Sequence, residues 1–188
     1  RNHRPMDLIA QIAVAGGLAW ASGIRLYATV LLLGVLARFD YITLPPALAL
    51  AESDWVLWTA AAMTLGEFIA DKVPAFDSLW DALHTFIRVP AGMLLAWGAL
   101  DDYGPGAQLA AALVGGAITS GTHLAKAGSR AAINHSPEPV SNWIASFTED
   151  GVVLGGLFLA FQHPWVFLVL LLLFLLFVAW LLPKLWRG

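Results

Sequence analysis

Long apolar segments separated by short polar breaks run through the whole chain. The purest is residues 165–182, an unbroken apolar run of eighteen residues that follows His163-Pro164. A membrane-spanning helix needs roughly 20 apolar residues, so this run predicts a transmembrane helix. Five less pure segments predict further helices of the same kind: residues 6–38, 54–72, 75–100, 107–134 and 140–161. The pattern therefore predicts about six transmembrane spans.

The first of these segments, at 33 residues, is long for one helix. Gly16, Gly17, Ser22 and Gly23 precede Arg25 closely, and broken helices occur at membrane depth where their backbone lines a cavity. We therefore expect the first helix to be broken into two halves around Arg25, or to re-enter the membrane rather than cross it once.

The two central helix pairs look related. Four residues in the first pair have a match 63 positions further on: Pro74, Ser78, Trp80 and Gly92 correspond to Pro137, Ser141, Trp143 and Gly155. The match predicts an internal repeat of two helical hairpins, roughly 54–100 and 117–163, within a single integral membrane domain of residues 1–188. The alternative is coincidence, since Pro and Ser are common at helix starts and Trp at membrane interfaces.

Composition supports a membrane protein. Hydrophobic residues make up 59% of the 188-residue chain and charged residues 12%, against about 25% charged residues in a soluble domain, and the mean hydropathy is +0.73. The net charge is −3 and cysteine is absent, which argues against nucleic-acid binding and excludes disulfides and thiolate chemistry. The predicted fold class is an all-α polytopic membrane helix bundle.

Loop charges orient the predicted spans. With a cytoplasmic N-terminus, the inner side would carry the basic residues Arg1, Arg4, Lys72, Lys126, Arg130, Lys184 and Arg187. The outer loops would carry the acidic residues Asp40, Glu52, Asp54, Asp101 and Asp102. This is the positive-inside pattern, and it predicts that both termini are cytoplasmic.

Ionisable residues interrupt the apolar segments. In a membrane span a charged side chain is retained only where it is paired, hydrated or functional. Three helix faces are polar at helical spacing: Glu67 and Asp71; Asp77, Asp81, His84 and Arg88; and His123, Lys126, Arg130 and Asn134. Together with Arg25, Glu149 and Asp150, these residues are the candidate transport or ion pathway. No catalytic residue is assigned, because the chain has no nucleophile motif.

Two neighbouring acids lie deep in the predicted bundle. Glu149 and Asp150 lie ten and eleven residues past Pro139, or roughly 15 Å along a helix, near the membrane midplane. Arg25 and Arg88 lie at comparable depth, and a carboxylate–guanidinium pair best offsets desolvation. We therefore predict that Arg25 and Arg88 are the partners of Glu149 and Asp150. The alternative to a functional cluster is an ion network that only fixes helix register.

Four carboxylates are also candidate metal ligands, because hard oxygen ligands suit Mg²⁺, Mn²⁺ or Ca²⁺: Glu67, Asp71, Asp77 and Asp81. A divalent cation is the one cofactor that the sequence suggests. The basic residues of the third polar face are suited to a phosphate or a lipid headgroup, although positive charge at the inner leaflet explains them more simply.

Three stretches resemble an uncharacterised family: Ser22-Gly-Ile-Arg25, Glu67-Phe-Ile-Ala-Asp-Lys-Val-Pro-Ala-Phe-Asp77, and Gly121-Thr-His-Leu-Ala-Lys-Ala-Gly-Ser-Arg130 with its continuation to Asn142. They are similar to a bacterial integral-membrane family, the domain of unknown function numbered 4126, over about residues 16–164. The resemblance implies one multi-span domain in the bacterial cytoplasmic membrane, and it supplies no activity.

Three functions remain open. Acidic groups dominate at depth, so the first is a small transporter or channel for a cation or protons, with Glu149 and Asp150 as its gate. The second is an accessory or scaffold subunit of a larger membrane complex. The third, an enzyme that modifies a lipid phosphate, is less favoured.

The expected partners are the lipid bilayer and either a second copy or other membrane subunits, since Gly151-xxx-Gly155 and Gly116-xxx-Ser120 predict close helix packing.

Overall fold

The computed structural model describes residues 7–135 and 140–186, which form helices joined by short connections. Six α-helices account for most of them: α1 (Leu8–Arg38), α2 (Asp54–Ala70), α3 (Pro74–Ala99), α4 (Gly104–Asn134), α5 (Val140–Gln162) and α6 (Pro164–Trp186). Two 3₁₀ segments, Pro46–Glu52 and Asp101–Tyr103, lie in the connections. The described residues contain no strand, which confirms the all-α class.

Three helices are long and apolar enough to cross a membrane: α1, α5 and α6. The pair α3 and α4 adds a fourth if the two count as one broken span. These helices indicate a membrane protein, whereas the number of about six spans stays a prediction. The difference concerns α2, which has only 17 residues, and the helices α3 and α4, whose buried faces carry five charged side chains: Asp77, Asp81, Arg88, Lys126 and Arg130.

Helix α1 lies at the centre and contacts each of the other five helices. All of residues 13–26 are buried. This stretch is rich in Ala and Gly, and small residues let neighbouring helices approach closely. A Cβ atom placed on Gly17 would lie 2.8 Å from Ala160 Cβ, and one on Gly23 would lie 2.7 Å from the carbonyl oxygen of Thr119. The small side chains therefore make α1 the core of the bundle.

The predicted break in the first helix is present at Arg25. The backbone there has φ −139° and ψ 75°, so the 31 residues of α1 form two helical halves. A break frees carbonyl groups that an unbroken helix would satisfy. Arg88 Nη1 donates to the carbonyl oxygen of Gly23 at 3.0 Å, and Lys126 Nζ donates to that of Ile24 at 3.1 Å. Two cationic side chains thus occupy the end of the first half-helix.

Helices α3 and α4 pack against each other in opposite directions. Asn134 Nδ2, near the end of α4, donates to Asp77 Oδ2, near the start of α3, at 2.7 Å. Further along, a Cβ atom on Gly115 would lie 2.5 Å from Ala96 Cβ. The two helices are therefore a hairpin whose glycine-rich part is packed most tightly.

The two small-residue patterns have different outcomes. Gly116 packs on α3 as predicted, since a Cβ atom there would lie 2.8 Å from Met93 Cγ. No atom of the described chain lies within 4 Å of a Cβ atom on Gly151 or Gly155. Close packing of this pair within the chain is therefore wrong, because α5 turns its opposite face, with Ser146, toward the bundle. A dimer contact at this pair stays a prediction.

Polar faces point into the bundle and apolar faces point out. On α3, the predicted stripe from Asp77 to Arg88 is buried, while Leu83 and Phe86 are 59% and 82% exposed. Such an outer surface suits contact with lipid.

The internal repeat stays a prediction, since Pro137 lies outside the described residues. The basic residues Arg1, Arg4 and Arg187, which were used to orient the spans, lie outside them as well.

Candidate functional site

Ten ionisable side chains from α1 to α5 meet inside the bundle, and we call this group the ion cluster. Eight of them are at most 5% exposed, and the other two, on α5, have side chains that are 15% and 35% exposed. The ion cluster consists of Arg25, Glu67, Asp71, Asp77, Asp81, Arg88, Lys126, Arg130, Glu149 and Asp150. The structure therefore brings together the residues that the sequence placed on separate polar faces.

Arg25, at the break in α1, is held by three carboxylates. Its guanidinium contacts Asp71 Oδ2 directly. Its Nε lies 2.8 Å from Asp150 Oδ1, and its Nη2 lies 3.3 Å from Glu149 Oε2. Nη2 also donates to the hydroxyl of Ser146 at 2.9 Å. These contacts confirm the predicted pairing of Arg25 with the two α5 acids.

Arg88 pairs with other acids than those predicted. Its Nη2 donates to Glu67 Oε1 and lies 3.3 Å from Asp81 Oδ1. The prediction that Arg88 is a partner of Glu149 or Asp150 is therefore wrong. The position of Arg88 along its helix did not predict its partner, because α3 directs the side chain toward α2 and the broken part of α1. The α5 acids pair with other basic side chains instead.

Lys126 lies among several carboxylates rather than in one pair. Its Nζ is 3.4 Å from Glu67 Oε1, 3.5 Å from Glu149 Oε2 and 3.6 Å from Asp81 Oδ1. An ammonium group is a compact charge with three donors and no fixed fork, so it can serve several acceptors at once. The same Nζ donates to the carbonyl of Ile24, where the dipole of the first half-helix has its negative end.

Arg130 makes the most complete ion pair of the cluster. Its Nε lies 2.7 Å from Glu149 Oε1 and its Nη2 lies 3.2 Å from Oε2 of the same residue, which is the two-bond geometry that suits a guanidinium. Nη2 is also 3.2 Å from Asp71 Oδ2, and Nη1 donates to the carbonyl of Asn142 at 3.2 Å. Arg130 therefore joins α4 to α5 and to the end of α2.

The two predicted histidines lie beside the ion cluster. His84 Nδ1 lies 2.8 Å from the carbonyl oxygen of Trp80, which can only accept, so this nitrogen donates. In the neutral ring Nε2 then accepts from the Tyr27 hydroxyl, also at 2.8 Å. His123 Nε2 lies 2.7 Å from Thr85 Oγ1. Both rings are thus fixed by hydrogen bonds within the bundle.

Acids outnumber cations in the ion cluster. Six carboxylates face four cationic side chains, an excess of two negative charges when all are ionised, or of one if the half-buried Lys72 at the rim is included. Four buried carboxylate oxygens have no hydrogen-bond partner among the described residues: Glu67 Oε2, Asp71 Oδ1, Asp77 Oδ1 and Asp81 Oδ1. Uncompensated buried charge is costly, so the arrangement favours the uptake of protons or a cation.

Within residues 7–135 and 140–186, no three His, Cys, Asp or Glu side chains are arranged to hold a metal ion. The four candidate metal ligands face basic side chains instead; for example, Asp77 Oδ1 lies 3.9 Å from Arg130 Nε. Lys126 and Arg130, the residues suited to a phosphate, are likewise engaged by carboxylates. The acidic and basic faces therefore pair with each other and do not form an open metal–phosphate site in the part of the chain that the structure describes.

A cavity of about 440 Å³ reaches the ion cluster from between α2 and α5. Arg25, Glu67 and Asp150 form its polar floor, and its walls are almost entirely apolar. Leu65 and Leu154 line the cavity as well, and they are 60% and 55% exposed on the outer surface of the bundle. The cavity therefore opens on the apolar outer surface of the bundle.

An aromatic contact joins α2 to α5 at Phe68, one of the residues that line this cavity. The rings of Phe68 and Phe147 meet there with 5.8 Å between centroids, in an edge-to-face arrangement. Lys72 Nζ lies 3.2 Å from the centroid of the Phe68 ring and donates to Ser146 Oγ at 2.9 Å. Burial against these rings lowers the pKa of the Lys72 ammonium from its ordinary value. Helices α2 and α5 thus meet near Lys72 and separate along the cavity.

Four polar residues that contact the site were left out of the predicted pathway: Tyr27, Thr85, Asn142 and Ser146. The last two were accessible to sequence reasoning, because they are four residues apart and share a helix face with the acids that follow on α5. Tyr27 and Thr85 gave no such signal, since a single hydroxyl residue in an apolar helix does not form a pattern of polar residues at helical spacing.

A family model described as "Domain of unknown function (DUF4126)" matches residues 12–184. The chain belongs to the DUF4126 family. The matched region contains the whole ion cluster and the cavity floor, which confirms the resemblance and places the site within the DUF4126 domain. No curated protein and no solved structure matches the chain. The function of this DUF4126 protein is therefore argued from its own residues.

Proposed function

We propose that this protein is a small membrane transporter or channel for a cation or protons. The observation that carries the proposal is the acid excess of the ion cluster, in which six carboxylates face four buried cationic side chains and four carboxylate oxygens accept no hydrogen bond within the described residues. Buried charge of this kind attracts protons or cations, and ionisable residues inside a membrane bundle mark substrate and ion pathways by default.

The break in α1 supports the same function. Transporters build their central sites from discontinuous helices, whose free carbonyls and helix ends coordinate the transported ion. Here the carbonyls of Gly23 and Ile24 are occupied by Arg88 and Lys126. An arriving cation or proton would compete with these side chains for the nearby carboxylates, and this competition would couple its passage to a shift of the network.

Glu149 and Asp150 are assigned as the gate of the pathway. They are the two acids of the ion cluster with partly exposed side chains, 15% and 35% respectively, and Asp150 lines the same cavity as Glu67. A charge that enters through the cavity would meet Asp150 before the fully buried acids.

We further propose six membrane crossings in a bacterial cytoplasmic membrane, with both termini in the cytoplasm. The support comes from the loop charges: Lys72 and Lys184 lie at helix ends on one side, and Asp54 and Asp101 at helix ends on the other. A basic cytoplasmic side follows the positive-inside rule.

Ion flux by the purified protein in liposomes tests the proposal. Gradients of H⁺, Na⁺, K⁺ and Mg²⁺ are imposed one at a time on the wild type, on the double variant E149Q/D150N and on D54N. Asp54 is the matched control, because its carboxylate is exposed and pairs with Arg38 away from the ion cluster. We expect selective flux in the wild type and in D54N, and its loss in the double variant. Absence of flux for every ion would favour an accessory subunit.

A further inference from the structure

The geometry points to a ligand site that the ion pathway does not require: we propose that the cavity between α2 and α5 binds a lipophilic amine, a molecule with an apolar chain and an N–H-bearing ammonium head. The head would lie on the polar floor, and the chain would extend between the helices into the lipid. This inference concerns equilibrium binding and holds whether or not ions cross the protein.

The shape of the cavity selects the apolar part of the ligand. Its volume of about 440 Å³ lies within the range of about 300–1,000 Å³ that is typical of small-molecule sites. Phe68 lines it together with apolar side chains of α1, α2 and α5, and two of these, Leu65 and Leu154, are more than half exposed. A ligand therefore enters from the bilayer, and its chain remains against apolar walls.

The floor selects the head group. Glu67 is 1% exposed, and its Oε1 receives Arg88 and Lys126, while its Oε2 has no hydrogen-bond partner. The side chain of Asp150 is 35% exposed and meets Arg25 through Oδ1. Both floor acids therefore offer acceptor oxygens, and a charged donor is the group that such oxygens bind most strongly.

The third floor residue does not reverse this preference. Arg25 is a cation, but its guanidinium is already engaged by Asp71, Glu149 and Asp150. Arg130 and Lys126 also contact these acids, but the ion cluster as a whole holds six carboxylates against four cationic side chains, so the surroundings of the floor are negative overall. An anionic head group would lie next to these carboxylates with no free cation among the described residues to pair with. A neutral hydroxyl could donate only one hydrogen bond and would bring no positive charge.

Binding of four dodecyl amphiphiles to the purified protein in neutral detergent tests the proposal by isothermal titration calorimetry. The probes share one chain and differ in the head: dodecylamine, dodecyltrimethylammonium, dodecanol and dodecanoate. We expect dodecylamine to bind about tenfold or more tightly than dodecanol, as a charge-assisted hydrogen bond implies. Dodecyltrimethylammonium, which lacks N–H donors, should bind more weakly than dodecylamine, and dodecanoate should not bind.

A matched pair of variants separates the cavity from general partition into the protein–detergent surface. Ala61 lines the cavity, whereas its neighbour Ala62 is exposed on the outer face of α2. A61W should fill the cavity and abolish dodecylamine binding, while A62W should retain it. Neither residue belongs to the ion cluster, so we expect both variants to keep its ion pairs, and equal unfolding temperatures for A61W and A62W confirm that both are folded. Equal affinity for all four probes, preference for dodecanoate, or unchanged binding in A61W would each overturn the proposal.

Discussion

Arg130 of α4 and Glu149 of α5 form an ion pair through two bonds, Nε to Oε1 at 2.7 Å and Nη2 to Oε2 at 3.2 Å. The two helices otherwise contact each other sparingly. Arg130 is 1% exposed and the Glu149 side chain 15%, so the pair is largely shielded from water and forms a main link between α4 and α5. Its loss should therefore weaken the bundle more than the loss of a surface pair.

Replacement of Arg130 by Gln should destabilise the protein strongly. Removal of one partner from a buried ion pair costs about 3–5 kcal/mol, because the other charge stays buried without compensation. Here Glu149 and Asp71 both lose a guanidinium partner. Thermal unfolding in neutral detergent, followed by tryptophan fluorescence, measures the effect. An unfolding temperature equal to that of the wild type would contradict the assignment.

E149Q is the graded control for this variant. Arg130 would keep Asp71 Oδ2 at 3.2 Å and the carbonyl of Asn142 at 3.2 Å, and glutamine retains one acceptor oxygen. We therefore expect E149Q to be less destabilised than R130Q in the same assay. The reverse order would show that Glu149, rather than Arg130, organises this part of the ion cluster.

Gly92 and Gly155, which the predicted repeat aligns, should respond differently to alanine. A Cβ atom on Gly92 would lie 2.9 Å from Thr119 Cβ, and the Thr119 hydroxyl donates to the carbonyl of Ala19 on α1. G92A should therefore push three helices apart, at about 1–3 kcal/mol for an overpacked site. Gly155 has open space, so G155A should change stability by less than about 1 kcal/mol. Equal destabilisation by both substitutions would argue against this packing.

The sequence predicted features that depend on local periodicity. The three- and four-residue steps from Asp77 to Arg88 indicated one buried face, and the Gly and Ser residues before Arg25 indicated the helix break. Both follow from the geometry of a single helix. The partner of Arg88 did not follow, because depth along a helix contains no information about which neighbour it faces.

The connection between α1 and α2 shows the same limit. The sequence pattern predicts a polar connection between the segments 6–38 and 54–72. In the structure, however, Leu48 and Ala51 of the 3₁₀ segment Pro46–Glu52 are buried. The carbonyl oxygen of Ala51 approaches Gly34 so closely that a Cβ atom there would clash with it. The segment is short and has Pro at its start, so it has no helical period of its own, and its burial depends on neighbouring helices, with Ala51 against α1 and Leu48 against Gly98 of α3.

Removal of a charged side chain outside the ion cluster should change the stability of the protein only slightly. Arg38 contacts Asp54 directly, but the two side chains are 49% and 68% exposed. Exposed ion pairs contribute about 0–1 kcal/mol, since water screens them in the folded state. R38Q should therefore unfold within a few degrees of the wild type, in contrast to R130Q. A loss of stability as large as that of R130Q would mean that Arg38 has a buried role.

Helix α2 is one of the three helices, with α3 and α4, that separate the three spans meeting the length and hydropathy requirement from the six that we propose. It has 17 residues, about 25 Å at 1.5 Å per residue, slightly less than the hydrocarbon core of about 30 Å. Ser53 and Val73 flank α2 at its two ends, and the chain has no cysteine, so S53C and V73C each introduce a unique thiol. If α2 crosses the membrane, an impermeant maleimide added to intact cells should label S53C and leave V73C unlabelled until the membrane is opened. Labelling of both residues from the same side would show that α2 does not cross, and it would reduce the number of spans below six.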